Sequence, residues 1–334
     1  MRLLKDKTLF RFEKLVTKTG NTGHLLISSG FSSIGIKFPH RLLEIWDNKI
    51  GSANCSCRSR SKSPEILLAT SVISHENLIT NASDFTEFHA RLEHLAGFHQ
   101  IVSVIGLGIN GIKGHSIEFE KLHLSQRNFL KYLQSIGATI GCRGKETLDF
   151  LVSCGFMRSK LFVTGCPSLQ LIGDFQKPIP ENFSKILVGG ALMSRFDLLD
   201  SMTSESTQIL FIPQTVDAFN QVKDIGGRDR RIEIFLPASF RDWKSKLNSF
   251  KPEISVGTRL HGNVAAMSLG VPTVFMSGDI RTREITEVAL LPFFDDMVEI
   301  ETAVNRLTET SILSSRERIL TLKNEMIICL EQIV

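Results

Sequence analysis

From Ile254 to Met276 the chain reads I-S-V-G-T-R-L-H-G-N-V-A-A-M-S-L-G-V-P-T-V-F-M. An apolar run meets Gly257, Arg259 and His261 follow, a small-residue segment of helical spacing runs from Asn263 to Leu269, and Val271 opens a second apolar run. That order predicts strand, loop, helix, strand, the repeating unit of an open α/β sheet. In such a sheet ligands bind beyond the carboxyl ends of the strands, where helix N-termini direct backbone N–H groups outward. Arg259 and His261 fall at that place, and Arg281 and Arg283 follow the next strand at its own carboxyl end. The segment reads as the wall of an anion site that contains a titratable group.

The same alternation extends through the chain. Glu65–Ile73 reads as a buried strand and 84–95 as a helix carrying Phe85, Phe88, Leu92 and Leu95 on one side. Strands are expected at 101–105, 138–142 and 161–164, with helices over 121–136 and 148–154, the latter closed by Gly155. The short run Leu25–Ser28 follows a turn signal at Gly20–Gly23 and suggests a loop beside an N-terminal strand, and residues 44–64 read mostly as loop. Residues 172–183 hold two prolines without periodicity and are the candidate linker. Beyond it strands are expected at 186–188, 209–212, 232–236, 254–256 and 273–276, and helical spacing dominates from Glu301 onward. Strands alternating with helices at this spacing predict parallel sheets covered by helices. The expected organisation is two similar α/β halves, at 1–171 and 184–334, with a cleft between them.

At 334 residues the chain is long enough for two such domains. A net charge of +4 and no long basic run give no sign of a nucleic-acid partner, and the densest basic patch, Arg58–Lys62, reads as a solvated loop. Six scattered cysteines offer only the pair Cys55 and Cys57, which has no second pair to complete a zinc site, so free thiols in a reducing compartment are expected. The N-terminus interrupts its apolar residues with charge, and no apolar run reaches 18 residues, so the expectation is a cytoplasmic protein without metal or cofactor. Asp295–Asp296 reads as a solvated carboxylate pair, and Cys166-Pro167-Ser168 as a turn that starts a helix.

Gly106-Leu107-Gly108-Ile109-Asn110-Gly111 spells the G-x-G-x-x-G of dinucleotide sites. That motif should open a helix at once and be followed by an acid at the end of the next strand. Here Lys113–Ser116 stay irregular and the next strand ends in Cys142-Arg143. The glycines are therefore read as permitting close approach of a ligand or a neighbouring strand.

Five motifs lie in order along residues 100–295: G-x-R-x-x-T at Gly141–Thr147, G-C-P-S-L at Gly165–Leu169, G-T-R-L-H-G at Gly257–Gly262, A-x-x-x-G-V-P at Ala266–Pro272, and D-x-R-T-R-E at Asp279–Glu284. In type, order and spacing they resemble the polysaccharide pyruvyl transferase family. The resemblance implies two Rossmann-like domains arranged as in GT-B glycosyltransferases. It also implies the reaction: the pyruvyl group of phosphoenolpyruvate passes to a sugar as a cyclic ketal, with release of phosphate. The family's arginine and histidine carry over to Arg259 and His261, and the arginine of the first motif to Arg143. Arg281 and Arg283 are further substrate-binding candidates, although with Glu284 they could equally form a surface ion-pair set. Where members commonly have an acid after an N-x-G turn near the start, this chain has His24, which bears on the acceptor and on activity if that acid positions or deprotonates it.

The implied donor carries a carboxylate and a phosphate on three carbons, and arginine forks match both groups. Ketal formation requires a proton at C3 of the enol while C2 becomes cationic, a task suited to a histidine such as His261. The acceptor would be a sugar of a cell-surface polysaccharide or of its lipid-linked precursor, and a lipid-linked acceptor would bring peripheral membrane association. Two other readings stay open at this point: a glycosyltransferase of the same shape using a nucleotide sugar, and a non-catalytic relative that binds glycan.

Overall fold

The computed structural model describes residues 24–34, 41–44, 64–69, 71–74, 82–110, 117–172, 183–189, 206–216, 218–220, 222, 229–237, 239–276, 280–294 and 309–332. Arg58–Lys62, Cys55, Cys57, Gly111–Ser116, Asp295–Asp296, the turn before His24 and most of the candidate linker lie outside them. The chain forms two compact α/β units. One comprises Ile34–Pro167, Asp279–Val288 and Leu320–Val334; the other comprises Met1–Ser33, Ser168–Gly278 and Ala289–Ile319. Ser168 thus opens the second unit close to the candidate linker, but the units are not contiguous in sequence. A division by chain order would place 279–288 and 320–334 in the C-terminal half and 1–33 in the N-terminal half, whereas packing groups them the other way.

In the first unit, β1 (Arg41–Glu44), β2 (Pro64–Leu68), β4 (Gln100–Asn110), β5 (Thr139–Cys142) and β6 (Leu161–Val163) form a parallel sheet in that spatial order. β3 (Ser71–Ser74) pairs with the far end of β4. The stretch read as one strand, Glu65–Ile73, is therefore two. The break coincides with an irregularity in β4, whose register against β5 shifts between Ile105 and Leu107. β4 also runs five residues past its expected end, through Gly106 and Gly108 to Asn110. Nearly every residue along it is buried, so no alternation of apolar and polar positions marks its length. Helices α2 (Ala82–Phe98), α3 (Leu124–Ser135) and α4 (Lys145–Ser153) belong to this unit. α3 begins with a capping box in which His123 accepts from the Ser125 amide and Gln126 reaches back to the His123 amide.

In the second unit the strands among the described residues are all parallel: β7 (Lys185–Gly189), β8 (Gln208–Phe211), β9 (Ile232–Ile234), β10 (Ile254–Gly257), β11 (Thr273–Met276) and β12 (Phe293–Phe294). Their spatial order is β12-β11-β10-β7-β8-β9. Counted from β7, this is the 3-2-1-4-5-6 order of the Rossmann fold, in which the direction of winding reverses between the first and fourth strands. Ile186, Val188, Ile209, Phe211, Ile254, Val256, Val274 and Met276 fill one core beneath the sheet. Helix α5 (Phe240–Phe250) buries Trp243, Leu247 and Phe250 at helical spacing, and its N-cap Ser239 hydroxyl accepts from the Asp242 amide. Both units are Rossmann-like, as the sequence predicts.

Residues His24–Ser33 are a helix, α1, and not the strand-flanking loop expected from Leu25–Ser28. Leu26, Ile27, Phe31 and Ile34 are buried, a helical repeat that a four-residue apolar run is too short to reveal. The last helix, α8 (Glu309–Glu331), follows the C-terminal helical spacing. Among the described residues no helix is long and apolar enough to cross a membrane, and no cluster of three or more His, Cys, Asp or Glu side chains could hold a metal ion.

Candidate functional site

The second unit's winding reverses between β7 and β10, and the carboxyl ends of those strands are Gly189 and Gly257, which are register partners. The two approach so closely that a Cβ on Gly257 would stand 2.4 Å from the Gly189 carbonyl oxygen. The Thr258 amide then donates to that same carbonyl at 3.1 Å. Directly beyond comes helix α6 (Leu260–Met267), with Arg259 at its N-cap and His261 in its first turn. Arg259 is exposed and His261 partly buried. The helix starts earlier than its small-residue period implies, so His261 is a helical residue held at the topological switch point and not part of a loop.

Asn263 locks this arrangement. Its amide donates to the Gly257 carbonyl at 3.1 Å and to the Val274 carbonyl at 3.3 Å, while its oxygen accepts from the Ser255 hydroxyl at 2.9 Å. One buried side chain thereby ties α6 to both β10 and β11. Gln214, buried beyond β8, lies against the same turn, with its Nε2 3.0 Å from where a Gly262 Cβ would be. Neither residue was singled out from the sequence. Asn263 is legible afterwards as a polar residue inside an apolar helical segment, whereas nothing local marks Gln214.

Arg143 sits at the carboxyl end of β5 in the first unit and is 4 % exposed. Its amide donates to the Leu107 carbonyl at 2.8 Å, and its Nε donates to the Gly106 carbonyl at 2.9 Å. Gly106 has φ +78°, which turns that carbonyl out of the regular ladder. Gly108 leaves the space that the arginine stem occupies. Gly106 and Gly108 of the motif resembling a dinucleotide fingerprint form a cradle for Arg143, an instance of the close approach expected there.

Two of the sequence motifs meet in this unit. Helix α7 (Ile280–Val288) carries Arg281, Arg283 and Glu284, so the arginines expected at a strand exit lie on a helix. Arg283 is partly exposed and donates from Nε to Glu287 at 2.7 Å, one turn along; Arg281 is partly buried. Glu284 is buried and accepts from Thr147, both the amide at 2.6 Å and the hydroxyl at 2.8 Å. Burial pushes the Glu284 carboxyl up to about 7, against the opposing pull of the Thr147 hydrogen bonds; nearby Glu146 raises it further and Arg143 lowers it.

A second polar cluster joins α2 to α3. The Ser125 hydroxyl lies in hydrogen-bond contact with His89 Nδ1 and at 3.0 Å from His123 Nδ1, and the two imidazoles are 3.6 Å apart. Burial, aided by the neighbouring imidazole of His123, lowers His89 to about 4. Buried Cys142 and Cys329 are shifted upward mainly by burial, which keeps them as inert thiols.

Two Rossmann-like units, with a cation and a histidine set at the switch point of one of them, place the chain among α/β proteins. A family model for polysaccharide pyruvyl transferases matches residues 76–280. The chain belongs to the polysaccharide pyruvyl transferase family, and it is therefore a transferase of polysaccharide biosynthesis. No curated protein sequence matches it. Among solved structures it is similar to a putative UDP-N-acetylglucosamine 2-epimerase from Listeria monocytogenes, at 13 % identity and TM-score 0.38, covering 78 % of this chain and 68 % of that one. It is also similar to UDP-GlcNAc 2-epimerase from Neisseria meningitidis bound to UDP-GlcNAc, at 11 % identity and TM-score 0.43, covering 93 % and 98 %.

Proposed function

We propose that this transferase moves the pyruvyl group of phosphoenolpyruvate onto two hydroxyls of a sugar in a cell-surface polysaccharide or its lipid-linked precursor. The observation that carries the reading is the placement of Arg259 and His261 at the N-terminus of α6, at the point where the winding of the second sheet reverses. An anion bound there meets the guanidinium of Arg259 and the positive end of the helix. Arg143, Arg281 and Arg283 are the further cations assigned to the substrates.

In this reading His261 is the general acid. It gives a proton to C3 of the enol, turning the methylene into a methyl group, and C2 takes on cationic character. One sugar hydroxyl bonds to C2 and its proton returns to the histidine. The C2–phosphate bond then breaks, the second hydroxyl bonds to C2, and its proton leaves with the phosphate. The products are a cyclic ketal and inorganic phosphate. A lipid-linked acceptor would hold the protein peripherally at the cytoplasmic membrane face.

A second reading, transfer from a nucleotide sugar, is favoured by the 3-2-1-4-5-6 strand order, whose switch point is a common place for nucleotides. Calorimetric titration of phosphoenolpyruvate and of UDP-sugars into the wild type and Arg259→Ala separates the two. Binding of phosphoenolpyruvate that weakens at least about tenfold in the variant supports pyruvyl transfer. Binding of the UDP-sugar alone replaces that reading with the second.

A further inference from the structure

Glu284 has no part in the chemistry above, yet it is a 2 % exposed carboxylate in the R-T-R-E motif. Its surroundings show what it does. Helix α4 has Gly144 at its N-cap, which offers no side chain to the exposed amides of the first turn. Glu284 supplies the missing acceptor from α7: Oε1 takes the Thr147 amide at 2.6 Å, and Oε2 takes the Thr147 hydroxyl at 2.8 Å. The Thr147 oxygen in turn accepts from the Ile109 amide on β4 at 3.2 Å. The absence of a side chain at Gly144 is required, because a Cβ there would stand 2.1 Å from the Glu284 Cγ.

Arg143 lies between these anchors. On one side its amide and its Nε are bonded to β4 through Leu107 and Gly106. On the other side its backbone runs into Gly144 and the capped turn. Because both Glu284 oxygens engage Thr147 from a separate helix, the first turn of α4 is fixed to α7 as well as to β4. The G-x-R-x-x-T motif and the R-T-R-E motif are two halves of one clamp, separated by 137 residues in sequence.

We propose that Glu284 is a positioning residue for Arg143: by capping the first turn of α4 it sets the place from which the Arg143 guanidinium meets the anionic donor. The inference rests on Arg143 being a donor-binding cation. It assigns Glu284 an effect on substrate affinity without contact with substrate.

The test is calorimetric titration of phosphoenolpyruvate into the full-length wild type, Glu284→Ala, Glu284→Gln and Thr147→Val, with circular dichroism to confirm folding and amide hydrogen exchange at Thr147. Glu284→Ala is expected to weaken binding at least about tenfold, the order of effect of leaving a buried donor without its acceptor. Glu284→Gln, which retains an acceptor for the Thr147 amide, should stay within about threefold of the wild type, and Thr147→Val should weaken binding about threefold or more. Thr147 amide exchange should speed up in Glu284→Ala and be restored in Glu284→Gln. Wild-type affinity in Glu284→Ala overturns the inference alone. If that variant does not fold, wild-type affinity in Thr147→Val overturns it. A wild type that binds no phosphoenolpyruvate removes the donor reading and this inference together.

Discussion

Gly108 and Arg143 occupy the same space: a Cβ on the glycine would stand 2.7 Å from the arginine Cδ and 3.3 Å from its Cγ. The arginine cannot swing aside freely, because its Nε is bonded to the Gly106 carbonyl and the side chain is buried. Gly108→Ala should therefore displace Arg143 and cost about 1–3 kcal/mol of stability through overpacking. Urea unfolding reads the stability change, and phosphoenolpyruvate titration reads the displacement as weakened binding in protein that is still folded.

The Gly257–Gly189 contact is less forgiving, because the groups in the way are backbone. The Cβ of Gly257→Ala would lie 2.4 Å from a carbonyl oxygen and 2.9 Å from the carbonyl carbon and the Cα of Gly189, in the adjacent strand. The expected loss exceeds about 3 kcal/mol, with little soluble protein recovered. Gly97 is the control: it lies in α2, with nothing within 4 Å of an added Cβ. Gly97→Ala should stabilise by roughly 0.5–1 kcal/mol by reducing the freedom of the unfolded chain. Thermal melts of the two variants should move in opposite directions.

Asn263→Ala removes three buried hydrogen bonds at once and leaves the Gly257 and Val274 carbonyls and the Ser255 hydroxyl without that partner. A loss of about 2–4 kcal/mol is expected from unfolding curves. Because the same bonds hold Arg259 and His261 over the switch point, folded Asn263→Ala should also bind phosphoenolpyruvate more weakly.

Glu284 and His89 make stability depend on pH in opposite senses. The Glu284 carboxyl titrates at about 7 in the folded chain, against an ordinary value of 4.5, so the folded state holds this proton more tightly than the unfolded state. Its contribution is fully present below pH 4.5 and is lost as pH rises through about 7, on the order of 3 kcal/mol in all. His89 is lowered from 6.5 to about 4, so its contribution is present above pH 6.5 and is lost as pH falls through about 4. Between pH 5 and pH 6.5 the two opposing contributions largely cancel in the wild type, so each shows only when the other group is removed. Relative to the wild type, Glu284→Gln should make unfolding free energy rise more steeply with pH above pH 5, and His89→Gln should make it fall from pH 5 to pH 7. A Glu284→Gln curve that runs parallel to the wild type's between pH 5 and pH 7 would contradict the assignment for Glu284.

The alternation of strands and helices among the described residues from Gln100 to Met276, the strand exit at Arg259, and the family itself were determined by sequence alone, because periodicity and short motifs report the local chain directly. Leu25–Ser28 was misread because a short apolar run fits a strand or a helix equally, and packing decides between them. The roles of Gly108, Gly144, Gln214 and Glu284 depended on tertiary structure entirely. A glycine looks the same in sequence whether it frees a turn or makes room for a side chain, and a glutamate carries no mark of an acceptor duty 137 residues away. Sequence determined which elements form and in what order. Only the approach distances between them decided that the G-x-G stretch cradles Arg143 and that Glu284 caps the helix beside it.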